Sequence, residues 1–178
     1  MKTIDGTRSA LLVIDLQARL MPVIHESEAV LANARRLVAA AALLDVPVTA
    51  TEQNPSGLGG TVEGLLPEGL AALEKMTFDS CGAPAFLSSL PAERPDLVVA
   101  GCEAHVCVLQ TVLGLRDAGR RVFVVEDAIG SRRAENRAAA IRRMERHGAE
   151  MVTTEMVVFE WLGTAGHPRF REAMTLIK

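Results

Sequence analysis

The stretch DLVVAGCEAHVCVLQTVLGLRDAG, residues 96–119, decides the fold that the sequence predicts. Apolar residues at 97–100 indicate a short buried strand, and Gly101 marks a tight bend after it. A helix is predicted from about His105 to Gly119, a typical C-terminal end. Cys107 falls in its first turn, where unpaired N–H groups and the positive end of the helix dipole favour a thiolate and can hold an oxyanion. This combination is what an acyl-transfer enzyme needs.

Cys107 also has a simpler interpretation. It is flanked by valines and a leucine. A cysteine in such surroundings is commonly a small buried apolar residue that only packs. The rest of the chain has to decide between the two interpretations.

Composition and charge exclude several classes of protein. The 178 residues are 49% hydrophobic with few aromatics, which predicts one α/β domain over residues 1–178. The net charge is −3, and acids interrupt the basic run at 132–146, so we interpret that run as a solvated helix face and expect no nucleic-acid partner. No apolar run is long enough for a membrane partner. The three cysteines are an odd number without a secretory leader, which predicts free thiols and a cytoplasmic location.

Strand and helix patterns alternate along the rest of the chain. Strands are predicted at 10–14, 46–50, 73–77, 121–125 and 150–152, and helices at 27–44, 83–90, 134–147, 154–162 and 168–177. The alternation predicts a three-layer α/β fold, with a six-stranded, mostly parallel sheet, right-handed crossovers and helices on both faces. Ligands of such folds bind at the carboxyl ends of the strands. Asp15, Lys75 and Cys107 lie near such ends, so we expect them to meet in one cleft.

Seven motifs occur in a fixed order from residue 10 to the end of the chain. They are LLVIDLQ (11–17), TEQNPSGLG (51–59), EKMTFDSCG (74–82), GCEAHVCVLQT (101–111), VEDAIGSR (125–132), FEWLG (159–163) and HPRF (167–170). Together they resemble the isochorismatase-like cysteine hydrolases, and most closely the isochorismatase domain-containing proteins. The resemblance implies a doubly wound sheet of strand order 3-2-1-4-5-6 and a homo-oligomer.

The same resemblance implies a catalytic triad of Asp15, Lys75 and Cys107. It also implies a cis peptide bond between Cys102 and Glu103, and an oxyanion hole made by the backbone N–H groups of Glu103 and Cys107. In the implied reaction, Cys107 forms an acyl-enzyme with a small-molecule substrate. Asp15 carries the proton from the thiol to the leaving group and then activates water, while Lys75 stabilises the thiolate.

Further candidates for the substrate pocket lie in loops and near strand ends: Gln17, Glu52, Gln53, Phe78, Cys81 and His105. The acids Glu52 and Glu103, with the two glutamines, predict a small amide substrate that is neutral or cationic rather than anionic. Three of these residues have structural alternatives. Glu52 is equally suited to accept loop N–H groups, His105 to cap or border the helix start, and Cys81 to pack as a buried thiol.

No cofactor and no metal are expected. Nicotinamidases of this family bind a metal through an aspartate and two histidines after the second strand, whereas TEQNPSGLG (51–59) contains no histidine. Cys102, His105 and Cys107 lack a fourth ligand at a spacing typical of zinc sites. The sequence therefore predicts a metal-independent enzyme that is not a nicotinamidase.

Two functions of other classes remain open. The predicted central helix is apolar on more than one face, which fits an oligomeric binding or assembly module with a vestigial site. Alternatively, Cys107 acts as a thiol redox sensor with Cys102 or Cys81 as its resolving partner. The aspartate, lysine and cysteine at three separate strand ends favour the enzyme over both alternatives.

Overall fold

Six strands form one sheet in the computed structural model, which describes residues 3–178. They are β1 (Ser9–Ile14), β2 (Val48–Gln53), β3 (Leu73–Lys75), β4 (Asp96–Cys102), β5 (Arg121–Gly130) and β6 (Glu150–Val152). The strand order is β3-β2-β1-β4-β5-β6, and all neighbouring strands are parallel. The predicted strand order and α/β class are confirmed.

Helices cover both faces of this sheet. The α-helices are α1 (Ser27–Leu43), α2 (Pro55–Leu58), α3 (Phe86–Ser89), α4 (Leu109–Asp117), α5 (Ala134–Arg146), α6 (Thr154–Leu162) and α7 (Phe170–Ile177). Apolar residues of α1, α6 and α7 form one core cluster with one face of the sheet, and those of α3, α4 and α5 form a second cluster with the other face. The molecule therefore has the three predicted layers.

The central strands β1 and β4 are buried along their whole length. Alternate residues of β1 enter opposite layers, because Leu11 and Val13 belong to the cluster with α1, whereas Leu12 and Ile14 belong to the cluster with α4. A strand covered on both faces has to be apolar at every position. This requirement explains why an unbroken apolar run predicts β1 so well.

The winding direction reverses between β1 and β4. From β1 the chain continues to β2 and β3 at one edge of the sheet, and from β4 it continues to β5 and β6 at the other edge. In open parallel sheets, the crevice beyond the carboxyl ends of two such strands is the usual ligand site.

The backbones of β1 and β4 come very close at this crevice. Gly101 has φ of +139°, and a Cβ atom on it would lie 2.0 Å from the carbonyl oxygen of Ile14, so only glycine fits. Asp15, the next residue of the first segment, has φ of +50°, a left-handed conformation that aspartate tolerates better than most residues. The end of β1 and the end of β4 therefore hold each other in place through main-chain contact.

Strand β2 begins and ends later than its apolar pattern predicts. The pattern stops at Ala50, but the strand continues to Gln53 because Glu52 and Gln53 pair with β3. The residues at 51–53 thus belong to the sheet and not to the following loop. Polar residues at the carboxyl end of a strand obscure its boundary because they line a crevice rather than the core.

Strand β5 is also longer than predicted. A register shift between Val99 and Gly101 of β4 moves the pairing on β5 from Val124 to Ile129. The acidic pair after Val125 lies in this irregular part, where the side chain of Asp127 accepts hydrogen bonds from the N–H and hydroxyl of Thr154. Glu126 and Asp127 can lie within the strand because the register shift interrupts the regular pairing with β4 at these residues.

The helices differ from the prediction mainly in length. The segment with Cys107 starts as a π-helix, Ala104–Val108, and continues as α4, after which Gly119 adopts φ of +76°. Helix α3 covers only part of the predicted 83–90, and α7 starts later than predicted, whereas α6 matches the prediction. Within residues 3–178, no helix is long and apolar enough to span a bilayer.

Trp161 of α6 is buried, with 6% of its surface exposed. It lies in the cluster with α1, and its backbone is close to Gly6, ahead of β1. Its Nε1 atom has no hydrogen-bond partner among the described residues. The indole is therefore held by apolar packing.

Candidate active site

A buried ion pair joins β1 to β3 at the crevice. The Nζ atom of Lys75 lies 2.7 Å from Oδ2 of Asp15, and each side chain is 1% exposed. The hydroxyl of Thr51, on β2 between them, donates to Oδ1 of Asp15 at 2.7 Å. Both carboxylate oxygens are thus hydrogen-bonded, so the carboxylate is held in one orientation.

Gln53 connects this ion pair to Cys107. Its Oε1 atom accepts a hydrogen bond from Lys75 Nζ at 2.8 Å and lies 3.9 Å from the Sγ atom of Cys107, within reach of the thiol. Its Nε2 atom donates to the carbonyl of Met76 at 2.9 Å, which fixes the orientation of the amide. Residues from four separate segments therefore meet beside one thiol.

The thiol of Cys107 keeps its proton at neutral pH. Burial is the main cause that raises its pKa to about 12, and the Asp15 carboxylate raises this pKa further, while Lys75 lowers it. Its place near a helix start predicts a lowered pKa, and that prediction is wrong for the resting site. With Cys107 only 6% exposed, desolvation of the thiolate outweighs the helix dipole and the lysine.

The turn that carries Cys107 is tied to the segment after β5. The Glu103 carboxylate accepts hydrogen bonds from the backbone N–H of Arg132 at 2.9 Å and from its Nε atom at 3.1 Å. The Nδ1 atom of His105 lies 3.0 Å from the hydroxyl of the buried Ser131. The peptide bond between Cys102 and Glu103 is cis. Side-chain contacts thereby connect the segment after β4 to the segment after β5.

A cavity of about 310 Å³ opens over Cys107. Its walls are formed by Asp15, Arg19, Leu20, Val23, Gln53, Leu58, Phe78, Glu103, Val106, Cys107 and Arg132. Two wider grooves, of about 700 and 410 Å³, include neither Asp15 nor Cys107 in their walls. Lys75 lines the second of these grooves and not the cavity over Cys107. The smaller cavity is the candidate active site because Asp15, the partner of Lys75, and the thiol of Cys107 both line it.

Of the further pocket candidates, Gln53 and Phe78 line this cavity, whereas Gln17, Glu52, Cys81 and His105 do not. Gln17 is fully buried, and its amide bridges the backbones of Gln53 and Gly59. Gln17 therefore connects the end of β2 to the loop that follows it and does not contact the cavity.

The other three residues outside the cavity have structural partners. The Oε1 atom of Glu52 accepts hydrogen bonds from the backbone N–H and hydroxyl of Thr61 at 2.6 and 2.7 Å, as its structural alternative predicts. The ring of His105 lies between Ser131 and Asn136, and the Sγ atom of Cys81 lies 3.9 Å from the carbonyl of Thr111. These side chains are engaged in packing and loop contacts.

Two arginines in the cavity wall, Arg19 and Arg132, change its electrostatics. The sequence predicts a wall with unpaired acids, but Glu103 is paired with Arg132 and Glu52 lies outside the cavity. The free acids on which the expectation of a neutral or cationic substrate rests are therefore missing from this wall, and the substrate's charge stays a prediction. Arg132 precedes α5, so it does not belong to the helix face that the sequence predicts for it. Each of the two arginines follows the carboxyl end of a strand, and this position is the sequence feature that could have identified them as cavity residues.

The three cysteines, Cys81, Cys102 and Cys107, are free thiols. Burial and the charge of Asp79 raise the pKa of Cys81 to about 12, and burial raises the pKa of Cys102. A redox sensor needs an accessible thiol with thiolate character, so these shifts favour packing roles for Cys81 and Cys102. In the part of the chain that the structure describes, no group of three or more His, Cys, Asp or Glu side chains is arranged to hold a metal ion.

The sheet order, and an Asp–Lys pair beside a cysteine at the crevice, agree with the isochorismatase-type α/β fold and site that the sequence motifs resemble. The sequence profile of the isochorismatase domain matches residues 9–156, which is most of the chain. The chain belongs to the isochorismatase family, and the resemblance seen in its sequence motifs is confirmed.

Individual relatives support the same membership. The chain is 40% identical over 173 residues to isochorismatase domain-containing protein 2 of Homo sapiens, covering 96% of this chain and 83% of the relative. Among solved structures, MAR1 ribonuclease from Caenorhabditis elegans is 38% identical, with a TM-score of 0.92 and coverage of 98% and 92%. YcaC from Pseudomonas aeruginosa, solved with hexane-2,5-diol and covalent acrylamide, is 25% identical, with a TM-score of 0.86 and coverage of 99% and 96%.

Proposed function

We propose that the protein is a cysteine hydrolase that cleaves a small amide or related C–N bond through an acyl-enzyme on Cys107. The observation that carries this proposal is the buried Asp15–Lys75 pair, which Gln53 connects to Cys107. Asp15, Gln53 and Cys107 line the same cavity. A volume of about 310 Å³ is at the lower end for ligand pockets and suits a small molecule. The proposed steps use side chains and water and require no metal or cofactor.

Acylation begins with attack by the Sγ atom of Cys107 on the substrate carbonyl carbon, while Asp15 accepts the thiol proton. Because burial raises the pKa of this thiol to about 12, proton transfer has to accompany the attack. Lys75 balances whichever group is negative, first the carboxylate and then the sulfur. The N–H groups of Glu103 and Cys107 stabilise the oxyanion, and Asp15 passes the proton to the nitrogen as the C–N bond breaks.

Deacylation returns the site to its starting state. Asp15, again a carboxylate, takes a proton from water as the water oxygen attacks the thioester carbon. The C–S bond breaks, the acid product leaves, and the sulfur regains the proton from Asp15. One C–N bond and one water molecule are consumed, and one amine and one acid are formed.

Two relatives guide the choice of reagents. The structure of YcaC from Pseudomonas aeruginosa contains covalent acrylamide, so we expect acrylamide to label Cys107 here. The relative from Caenorhabditis elegans is named a ribonuclease, so RNA has to be tested as a substrate next to small amides. The net charge of −3 and the small cavity favour the amides.

The test combines labelling with turnover. After incubation with acrylamide, intact mass and peptide mapping are expected to find one adduct on Cys107, and a panel of small amides is expected to identify a substrate. Cys107→Ala should then abolish turnover with an unchanged circular dichroism spectrum, because the nucleophile is lost and a smaller buried side chain remains. Cys81→Ser, a matched change of a thiol outside the cavity, should retain full activity. Turnover by folded Cys107→Ala would contradict the proposal.

Assembly into a homo-oligomer stays a prediction. The apolar residues of the central helix that suggest a partner surface, Val106 and Leu113 among them, pack largely within the chain itself. Met156 and Phe159 on α6 are more exposed, at 44% and 43%. Light scattering during size-exclusion chromatography is expected to give a mass that is a multiple of 19.1 kDa, and a monomer at micromolar concentration would contradict the prediction.

A further inference from the structure

We infer that the substrate carries a carboxylate, and that Arg132 and Arg19 bind this group beside the apolar part of the cavity wall. The inference rests on the proposed hydrolase function and specifies the substrate class of the same site. Its basis is the placement of two guanidinium groups in a cavity of about 310 Å³ that also contains Cys107.

Arg132 is oriented for ligand binding by a contact that leaves most of its donors free. Its Nε atom is 3.1 Å from Oε2 of Glu103, and its backbone N–H donates to the same oxygen at 2.9 Å. Within residues 3–178, neither Nη atom of Arg132 has a hydrogen-bond partner. A guanidinium held through Nε presents its two Nη atoms as a planar pair of donors, the arrangement that matches a carboxylate.

Arg19 adds a second cation from the segment that follows β1. Its Nη1 atom donates to the carbonyls of Ser56 and Gly57 at 3.2 and 3.3 Å, which holds the side chain against the loop after β2. Its Nε and Nη2 atoms have no partner in the described part of the chain. Each arginine thus has N–H groups that bind no acceptor among the described residues and that solvent or a ligand has to satisfy.

The charge of the whole wall favours an anion. The Asp15 carboxylate is compensated by Lys75 and the Glu103 carboxylate by Arg132, so Arg19 contributes a positive charge that no acid of the wall pairs with. The remaining wall is apolar and includes Leu20, Val23 and Phe78. A short amide with an apolar chain and a terminal carboxylate satisfies both parts of this surface.

A pair of alkylating reagents tests the inference before any substrate is known. Iodoacetate and iodoacetamide differ only in carrying a carboxylate or an amide. The ratio of their rates at Cys107, divided by the same ratio for 2-mercaptoethanol, measures the preference of the cavity for a carboxylate. The parent protein is Cys81→Ser, so that Cys107 is the accessible thiol, because Cys102 is fully buried.

We expect Arg132→Gln to lower this ratio about tenfold and Arg19→Gln about threefold, as the loss of one charge-assisted contact predicts. Arg133→Gln is the matched control, because Arg133 follows Arg132 directly, has a similarly exposed side chain (74% against 61%) and lies outside the cavity wall. Its ratio should equal that of the parent. Using a ratio cancels any change in thiol reactivity that loss of the Glu103–Arg132 contact causes.

Four results would overturn the inference. Unchanged ratios in both cavity variants would show that the arginines do not recognise the carboxylate. A decrease in Arg132→Gln alone would reflect repulsion by the released Glu103, and an equal decrease in Arg133→Gln would reflect the general field of the protein. If folded protein reacts with neither reagent at Cys107, the proposed hydrolase function fails and this inference with it.

Discussion

The floor and the mouth of the cavity are built in opposite ways. The floor consists of Asp15, Gln53 and Cys107, together with Lys75, which is hydrogen-bonded to the first two; all four are at most 7% exposed. The mouth consists of Arg19, Val23, Phe78 and Arg132, which lie in segments between the strands and the α-helices. Val23 and Phe78 are 56% and 51% exposed.

From this contrast we expect the floor to carry out the reaction and the mouth to select the substrate. Asp15, Gln53 and Lys75 sit at or next to the ends of parallel strands, and Cys107 lies in the π-helix that follows β4. The close main-chain approach of Gly101 to Ile14 fixes the two central strands relative to each other. Mouth residues have few such constraints and leave polar donors or apolar surface to a ligand. Substitutions at the floor should therefore abolish chemistry or stability, whereas substitutions at the mouth should alter substrate preference.

The largest effect is expected from Lys75→Met. This change leaves the buried Asp15 carboxylate without its cation, and breaking such a pair costs about 3 to 5 kcal/mol of folding free energy. The free energy of unfolding from urea titration measures the loss, and turnover should be abolished. The additional change Asp15→Asn should recover part of the stability, because the uncompensated charge disappears.

A surface pair provides the control for this prediction. Arg169 and Glu172 are 3.1 Å apart with both side chains 55% exposed, so Arg169→Met should change the free energy of unfolding by less than about 1 kcal/mol. If Lys75→Met costs as little as Arg169→Met, the floor is not the rigid element that the comparison requires.

The pH dependence of Cys107 alkylation gives the next effect. Because burial raises the thiol pKa to about 12, the thiolate fraction below that pH rises about tenfold per pH unit. In Cys81→Ser, the iodoacetamide rate should therefore increase about a hundredfold between pH 7 and 9 without a plateau. The sign for stability follows as well: the thiol pKa is higher in the folded than in the unfolded protein, so its ionisation lowers stability only as pH rises from about 9 towards 12. A plateau near pH 7 would contradict a buried, protonated thiol.

Gln53→Ala tests whether the floor acts as one unit. The change removes the acceptor that connects Lys75 to the thiol of Cys107 without removing a charge. We expect kcat to fall about tenfold, as loss of a hydrogen bond to a charged group predicts, with KM nearly unchanged. Gln110→Ala, at an exposed position of α4, serves as the matched change of a glutamine. A rise in KM at constant kcat would place Gln53 with the mouth.

The smallest effect is expected from Phe78→Ser at the mouth. Its ring is about half exposed, so the free energy of unfolding should stay within about 0.5 kcal/mol, and KM should rise a few-fold at constant kcat. Leu87→Ser, at an exposed apolar position outside the cavity, should leave both constants unchanged. A loss of kcat in Phe78→Ser would show that the mouth contributes to the chemistry.

The sequence predicts the fold best where burial is complete. The run at 10–14 locates β1, and the helical period at 154–162 locates α6 at its observed bounds, because each element is apolar wherever it meets the core. The ends of β2 and β5 are predicted poorly. There, Gln53 and Asp127 are polar yet remain in the sheet, since β3 pairing and a register shift hold them.

The floor of the site follows from sequence more readily than its mouth. Asp15, Lys75 and Cys107 fall at strand ends, and parallel strands bring such ends together whatever their separation in the chain. Which residues form the mouth depends on the conformation of the loops that cover the crevice. No periodic sequence pattern predicts that conformation. Arg132 stands next to the basic residues of α5 in sequence, and only the turn before the helix separates its role from theirs.

The buried indole in α6 has a consequence for spectroscopy. The chain has one tryptophan and no tyrosine, so its intrinsic fluorescence comes essentially from Trp161, which packs near Gly6 and does not line the cavity. Emission will report global unfolding with little interference from other chromophores, and it will be nearly silent to ligand binding. A reporter for the cavity therefore has to be introduced at its mouth, where Phe78→Trp places an indole in the wall.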